Sequence, residues 1–194
     1  MASELVRFED LREERDLVVA RELITDFRSS EEQQIDARAQ MLAWIDRYPL
    51  DAHLRTRLEG HLTASALVVN HERTHALLTH HKKLGRWLQL GGHCDGDANL
   101  VRVAVREAIE ESGIQDLTID PRVIDIDIHS IPERGAEPRH LHLDVRFIVT
   151  APRGAQEIKS DESHALAWVA PSELGTHSTD ASVRRLFLRA FGPL

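Results

Sequence analysis

The 194-residue chain holds one cysteine, Cys94, so no internal disulfide can form, and a reducing compartment, the cytoplasm, is the expected setting. No apolar run approaches the length that crosses a bilayer, and the acidic start MASELVRFEDLREERD lacks the hydrophobic segment of a secretory signal, so no membrane role is expected. Basic charge is scarce as well. With 24 Lys and Arg against 32 Asp and Glu, the formal charge is -8, which argues against a binder of polymeric nucleic acid. Small anionic ligands remain open, because a divalent metal reverses the local sign of an acidic site. Aromatics are only 5% of the residues, which leaves Trp87, Trp168, Phe147 and Trp44 as the surfaces on which a base could stack. Twelve histidines are present, but none falls in a ligand motif such as HExxH and there is no second cysteine. Most are therefore expected at surface or cross-strand positions.

What is there suffices for one domain with a core and an appendage. Residues 1–60 read as an N-terminal helical extension and residues 61–194 as the main domain. In the extension, Leu11, Val18, Val19, Leu23 and Phe27 recur at helical spacing. A second helix reads from Glu31 to Arg47, and a shorter one from Asp51 to Glu59 is expected to stop at Gly60. No chemical constellation lies here, so these helices are expected to pack on the main domain or to form a homodimer surface.

From Thr63 the texture turns to strands. TASALVVN and THALLTHH flank the turn-like His71-Glu72-Arg73 and predict a hairpin, followed by a basic turn ending in Arg86, a candidate phosphate contact. Trp87 to Leu90 reads as a short strand into Gly91-Gly92. Further on, Val123 to His129 alternates, with Asp125, Asp127 and His129 on one face, and His140 to Val149 alternates with His142, Asp144 and Arg146 on one face. These polar faces either line a substrate cleft or satisfy one another across strands. Arg146 is the stronger phosphate candidate, and His93, just after the glycines, either reaches a ligand or packs the loop. Asp180 to Phe191 predicts an amphipathic packing helix.

The most informative stretch is Gly92 to Ile114, GHCDGDANLVRVAVREAIEESGI. A glycine loop runs into a helix predicted to be capped by Asp97, with Val101, Ala104, Val105 and Ala108 as its apolar stripe and Gly113 as its left-handed stop. Glu107, Glu110 and Glu111 stand at i, i+3 and i+4, so three carboxylates leave one side of the helix. Neighbouring like charges cost roughly 0.2–0.5 kcal/mol per pair. A solvated acidic face and a cation site are the two readings of that spacing; the glycine loop and Arg106, which can hold a carboxylate, favour the cation.

This segment resembles the signature of the Nudix hydrolases: a glycine, five residues, a glutamate, seven residues, Arg-Glu, an aliphatic, any residue, Glu-Glu, any residue, a glycine and an aliphatic. Gly92, Arg106, Glu107, Ala108, Glu110, Glu111, Gly113 and Ile114 fall on it, whereas Ala98 stands where the family has its first glutamate. The resemblance implies an α/β fold, a Nudix-type α/β/α sandwich with a mixed sheet. It also implies hydrolysis of a nucleoside diphosphate linked to another group, with the small nucleotide-type diphosphate as its partner. Glu107, Glu110 and Glu111, with the Gly91 carbonyl, are the implied ligands of Mg²⁺ or Mn²⁺, ions that suit oxygen donors. Arg106 is expected to orient Glu107, and Glu107 or Glu162, the latter on a late acidic loop, to accept the water proton. Two other classes stay open: a degenerate module that binds a nucleotide without turnover, and a diphosphate isomerase.

Overall fold

The computed structural model describes residues 4–135, 137–161 and 163–193. Its centre is a parallel pair, β2 (Gly60–Val69) and β8 (His140–Thr150), in register over ten residues from Gly60↔Leu141 to Val69↔Thr150. Around this pair a mixed nine-stranded sheet forms. β3 (Ala76–His81), β4 (Arg86–Leu88), β5 (Leu90–His93) and β9 (Ser163–Val169) add on the β2 side. On the β8 side lie β6 (Thr118–Ile119), β7 (Asp125–Ile131) and β1 (Val6–Arg7), the last paired with β6. The predicted hairpin is present, with Val68 opposite Leu77.

Alternation in the central strands produces two different faces. Leu62, Ala64, Ala66 and Val68 of β2, with Leu143, Val145, Phe147 and Val149 of β8, point into the larger core, beneath α3 (Leu100–Ser112). Leu67, Val69 and Ile148 face the other way, under α4 (Ala181–Phe191), which buries Val183, Leu186 and Phe187 there. The rest of that second face is polar.

The N-terminal segment joins the larger core through Leu17, Ala20 and Ile24 of α1 (Leu17–Asp26) and Met41 and Ile45 of α2 (Glu32–Arg47). Buried Gln34 makes the junction specific. Its Nε2 donates to the Ile126 carbonyl at 2.7 Å and its Oε1 accepts from the Ile126 amide at 3.1 Å, so one side chain satisfies the free edge of β7.

Three local expectations are corrected. The first helix begins at Leu17 and not near Leu11, since Val6 and Arg7 are drawn into the sheet as β1 and Asp16 caps the helix through the Val18 amide. Asp51 to Glu59 is a chain of tight turns and not a helix. The Ala52 carbonyl, which a helix would commit to residue 56, instead accepts from the Leu62 amide at 2.7 Å. The cap of α3 is Asn99, whose side chain accepts from the Arg102 amide, and not Asp97. Asp97 is occupied elsewhere, accepting from the amides of Glu14 and Asn99 and pairing with Arg102 at 2.7 Å.

Candidate active site

β5 lies antiparallel to β2, setting Ser65 opposite Gly91, Ala64 opposite Gly92 and Thr63 opposite His93. A β-carbon on Gly91 would stand 2.4 Å from Ser65 Oγ, and one on Gly92 would stand 2.3 Å from Glu107 Oε2. Gly91 has no room for a side chain, since a β-carbon there would also meet the Ser65 Cα at 2.6 Å and the Ala64 carbonyl at 2.7 Å, and at Gly92 a β-carbon would have to displace the Glu107 carboxylate. The glycine loop thus brings bare backbone against the carboxylate helix.

On α3 the apolar stripe is buried and Gly113 closes the helix at φ 70°, as its sequence predicts. Arg106 works as a clamp: its Nη2 donates to the His93 carbonyl at 2.6 Å and to Glu107 Oε1 at 2.8 Å, and its Nε lies 3.8 Å from Glu110 Oε1. Burial pushes the Glu107 carboxyl above the ordinary glutamate range, with Arg106 opposing the shift. Glu111 is buried, while the Glu110 side chain is largely exposed. Cys94 is sealed inside the loop with Sγ donating to the Leu62 carbonyl, and burial pushes its thiol up, so it is a packing residue and no nucleophile. Ala98, where the signature has a glutamate, is fully buried, and its amide donates to the Glu14 carbonyl. The N-terminal segment therefore lies over the start of α3.

Gly91, Gly92, His93, Glu107, Glu110 and Glu111 all border one open cleft of about 550 Å³. The three carboxylates border this cleft beside the bare Gly91-Gly92 backbone, and carboxylate and carbonyl oxygens are donors that suit a divalent ion such as Mg²⁺ or Mn²⁺; without an ion the three carboxylates are not drawn within 4.8 Å of one another. His93 lies in the wall, and burial with Arg55 and His61 nearby lowers its pKa to about 4, so it is neutral at pH 7. The cations on the border are Arg55, Lys83 and Arg134, all exposed.

Two sequence candidates are elsewhere. Arg86 is exposed on β4 and does not border the cleft. Arg146 shares the polar sheet face but is only 2% exposed, because three aspartates and α4 enclose it. Its Nε donates to Asp144 at 2.7 Å, and its other nitrogens stand 3.3 Å from Asp125 and 3.4 Å from Asp127. Arg185 of α4 completes the cluster on Asp125 and Asp127. The cross-strand reading of the β8 polar face therefore holds for this residue. Glu162 lies outside the described residues.

The expected stacking surfaces also fail to meet the cleft. Phe147 is in the core, Trp44 packs on Tyr48, Trp168 donates to Glu157 and Trp87 stacks on His80. Among the described residues the rings on the cleft border are histidines. Their concentration is what the sequence reading missed. β-Register aligns His61, His142 and His129 across three strands, and His140 precedes His142 by two residues on the same face. The only signal was His-x-His in an alternating strand, and it became meaningful once β2 was known to lie beside β8.

No match was found among curated proteins. Similar solved structures include an Ap4A hydrolase binary complex from C. elegans, 16% identical, with 66% of this chain and 93% of that chain covered and a TM-score of 0.54. A Nudix hydrolase from M. smegmatis is 21% identical over 70% of this chain and 89% of that chain, with a TM-score of 0.50. The E. coli dihydroneopterin triphosphate pyrophosphohydrolase is 15% identical over 66% and 92%, also at 0.50. These likenesses concern the fold. The sequence comparison goes further: the NUDIX domain matches residues 60–191, more than half of the chain, so this protein belongs to the NUDIX family of hydrolases.

Proposed function

We propose that this Nudix pyrophosphohydrolase cleaves the diphosphate of a nucleoside diphosphate linked to another group, with Mg²⁺ or Mn²⁺ as cofactor. The observation that carries the reading is the seating of Glu107 against Gly92 under the Arg106 clamp, on the border of the cleft. Glu107, Glu110 and Glu111, with the Gly91 carbonyl, would hold the ion. When bound, it neutralises the diphosphate and polarises the attacking water.

The chain's own residues supply positioning and proton transfer. Arg106 fixes the Glu107 carboxylate to the loop backbone at His93. Glu107, held at the cleft border by Arg106, is one candidate for the base that takes the water proton. Glu162 is the other candidate for that role, from its place in the sequence. Arg55, Lys83 and Arg134 receive the phosphates, as point charges or forks on the cleft border. The base and leaving group contact histidine rings and aliphatic side chains, since no larger aromatic borders the cleft among the described residues.

Residues 1–60 serve as an extension of the catalytic domain, residues 61–194. Homodimerisation through it is supported by Val18 and Ile35, which stay 52% and 50% exposed on α1 and α2. A cytoplasmic setting fits the buried free thiol of Cys94. The deciding experiment offers a dinucleoside polyphosphate, ADP-ribose, a nucleotide sugar and a nucleoside triphosphate with Mg²⁺ or Mn²⁺ and identifies the products. Cleavage of the first three at the diphosphate is expected, and Glu111→Gln should remove most turnover while keeping the melting temperature. Full turnover by that variant at saturating Mg²⁺ overturns the assignment of the carboxylates.

A further inference from the structure

We propose that His61, His140 and His142 form a second metal site, for a divalent first-row transition ion of the zinc class, distinct in chemistry from the carboxylate site on α3. Each of the three offers a ring nitrogen within 4.8 Å of the others. His61 is 2% exposed and His140 5% exposed, so these rings are held by packing and do not drift at the surface.

The ring nitrogens are sorted by what they face. His140 Nδ1 stands 2.8 Å from the Pro138 carbonyl and His61 Nδ1 3.4 Å from the Arg57 carbonyl. A carbonyl only accepts, so each of these nitrogens carries the proton and each Nε2 keeps its lone pair. This is the arrangement that orients metal-bound histidines, in which the outer ring nitrogen donates to the backbone. His61 Nε2 is buried with no hydrogen-bond partner, and so is Nε2 of the adjacent His93, whose ring centroid is 5.1 Å from that of His61. A buried polar atom without a protein partner calls for a water or an ion, and two of them stand side by side here.

The spacing agrees with a shared ion. His140 Nε2 accepts a hydrogen bond from His142 Nε2 at 3.3 Å in the metal-free protein; two imidazole nitrogens bound at about 2.0–2.1 Å to one tetrahedral centre also stand about 3.3 Å apart, so an ion that displaces the shared proton fits this spacing. Register explains how the group assembles. His61 and His142 are direct partners in the parallel β2–β8 pair, and His140 is two residues along the same face. Glu137 Oε1, 4.0 Å from His140 Nε2, stands at the rim as a further donor. A side cavity of about 330 Å³, bordered by His61, His140, Arg55 and Glu137, leaves room for water or an anionic group on the ion. Imidazole donors select zinc, cobalt, nickel and their neighbours over Mg²⁺, which prefers oxygen. His140 and His142 also border the large cleft that Glu107 and Glu111 border, so the second ion would meet the same substrate from another wall.

The test uses the full chain, stripped with a chelator and titrated with Co²⁺ alone. Wild type should bind Co²⁺ with visible absorption bands of nitrogen coordination, and Zn²⁺ should displace it. Glu107→Gln combined with Glu111→Gln should retain those bands, as should His164→Gln. His61→Gln and His140→Gln should each weaken binding at least about tenfold, since loss of even an outer partner of a metal ligand costs 10–100-fold. A second reading needs no variant: Zn²⁺ should raise the melting temperature of wild type where Mg²⁺ at the same concentration does not. Absence of the bands, their loss in the double glutamate variant, their survival in both histidine variants, or equal responses to Zn²⁺ and Mg²⁺ would each overturn the proposal.

Discussion

Glu107 Oε2 occupies the space that a side chain on residue 92 would need: a β-carbon on Gly92 would stand 2.3 Å from it. The glycine is therefore a seat for the carboxylate as well as a turn residue. Gly92→Ala should displace Glu107 and lower kcat by about 100-fold, the cost typical of an ångström-scale misplacement. Steady-state kinetics beside a melting curve checks this. A kcat within twofold of wild type would show that the seat does not position Glu107.

Arg146 holds Asp125, Asp127 and Asp144 together beneath α4. Arg146→Met leaves those carboxylates short of positive charge in a buried place, a defect that costs about 3–5 kcal/mol. The urea midpoint should drop accordingly. Loss of turnover without loss of stability would instead return Arg146 to the substrate.

The same cluster sets an acid limit. Burial alone would raise the Asp127 carboxyl, but His129, Arg146 and Arg185 outweigh burial and hold it below the ordinary aspartate range. A depressed folded pKa stabilises the native state above the unfolded value, about 3.9, and that stability is lost as pH falls from there towards the folded value. Denaturation midpoints measured between pH 5 and pH 2.5 should fall steeply in wild type and less steeply in Asp127→Asn, which starts lower at pH 5.

Gln34 satisfies both backbone groups of Ile126. Gln34→Leu strands a buried amide and carbonyl, so it should cost about 1–3 kcal/mol. Amide exchange at Ile126 should accelerate more than at Val145 in the middle of the sheet. Uniform acceleration would mean that α2 stabilises the fold only through its apolar side.

Much of the site was legible because it is local. The glycine loop, the Arg106 to Glu111 run and Gly113 act through helical spacing and one left-handed residue, so linear order carries their geometry. The alternation of β8 likewise announced its two faces, since side chains in a strand change sides at every residue. Asp51 to Glu59 misled for the opposite reason: its helix signals were local, but the Ala52 carbonyl was claimed by Leu62 of the neighbouring strand. For Arg86 and Arg146, position in the chain, beside the glycine loop and on a polar strand face, suggests a phosphate contact but says nothing about what encloses the Arg146 guanidinium or where the cleft lies relative to Arg86.

By itself, then, the sequence determined the carboxylate helix, its glycine seat and the family to which both belong. Only the tertiary structure decided that Arg146 is sealed, that Gln34 closes the edge of β7 and that Glu14 covers Ala98. The histidines were decided there too. His61 and His142 are eighty-one positions apart in the chain and become neighbours through a parallel strand pair, a register that no local spacing encodes.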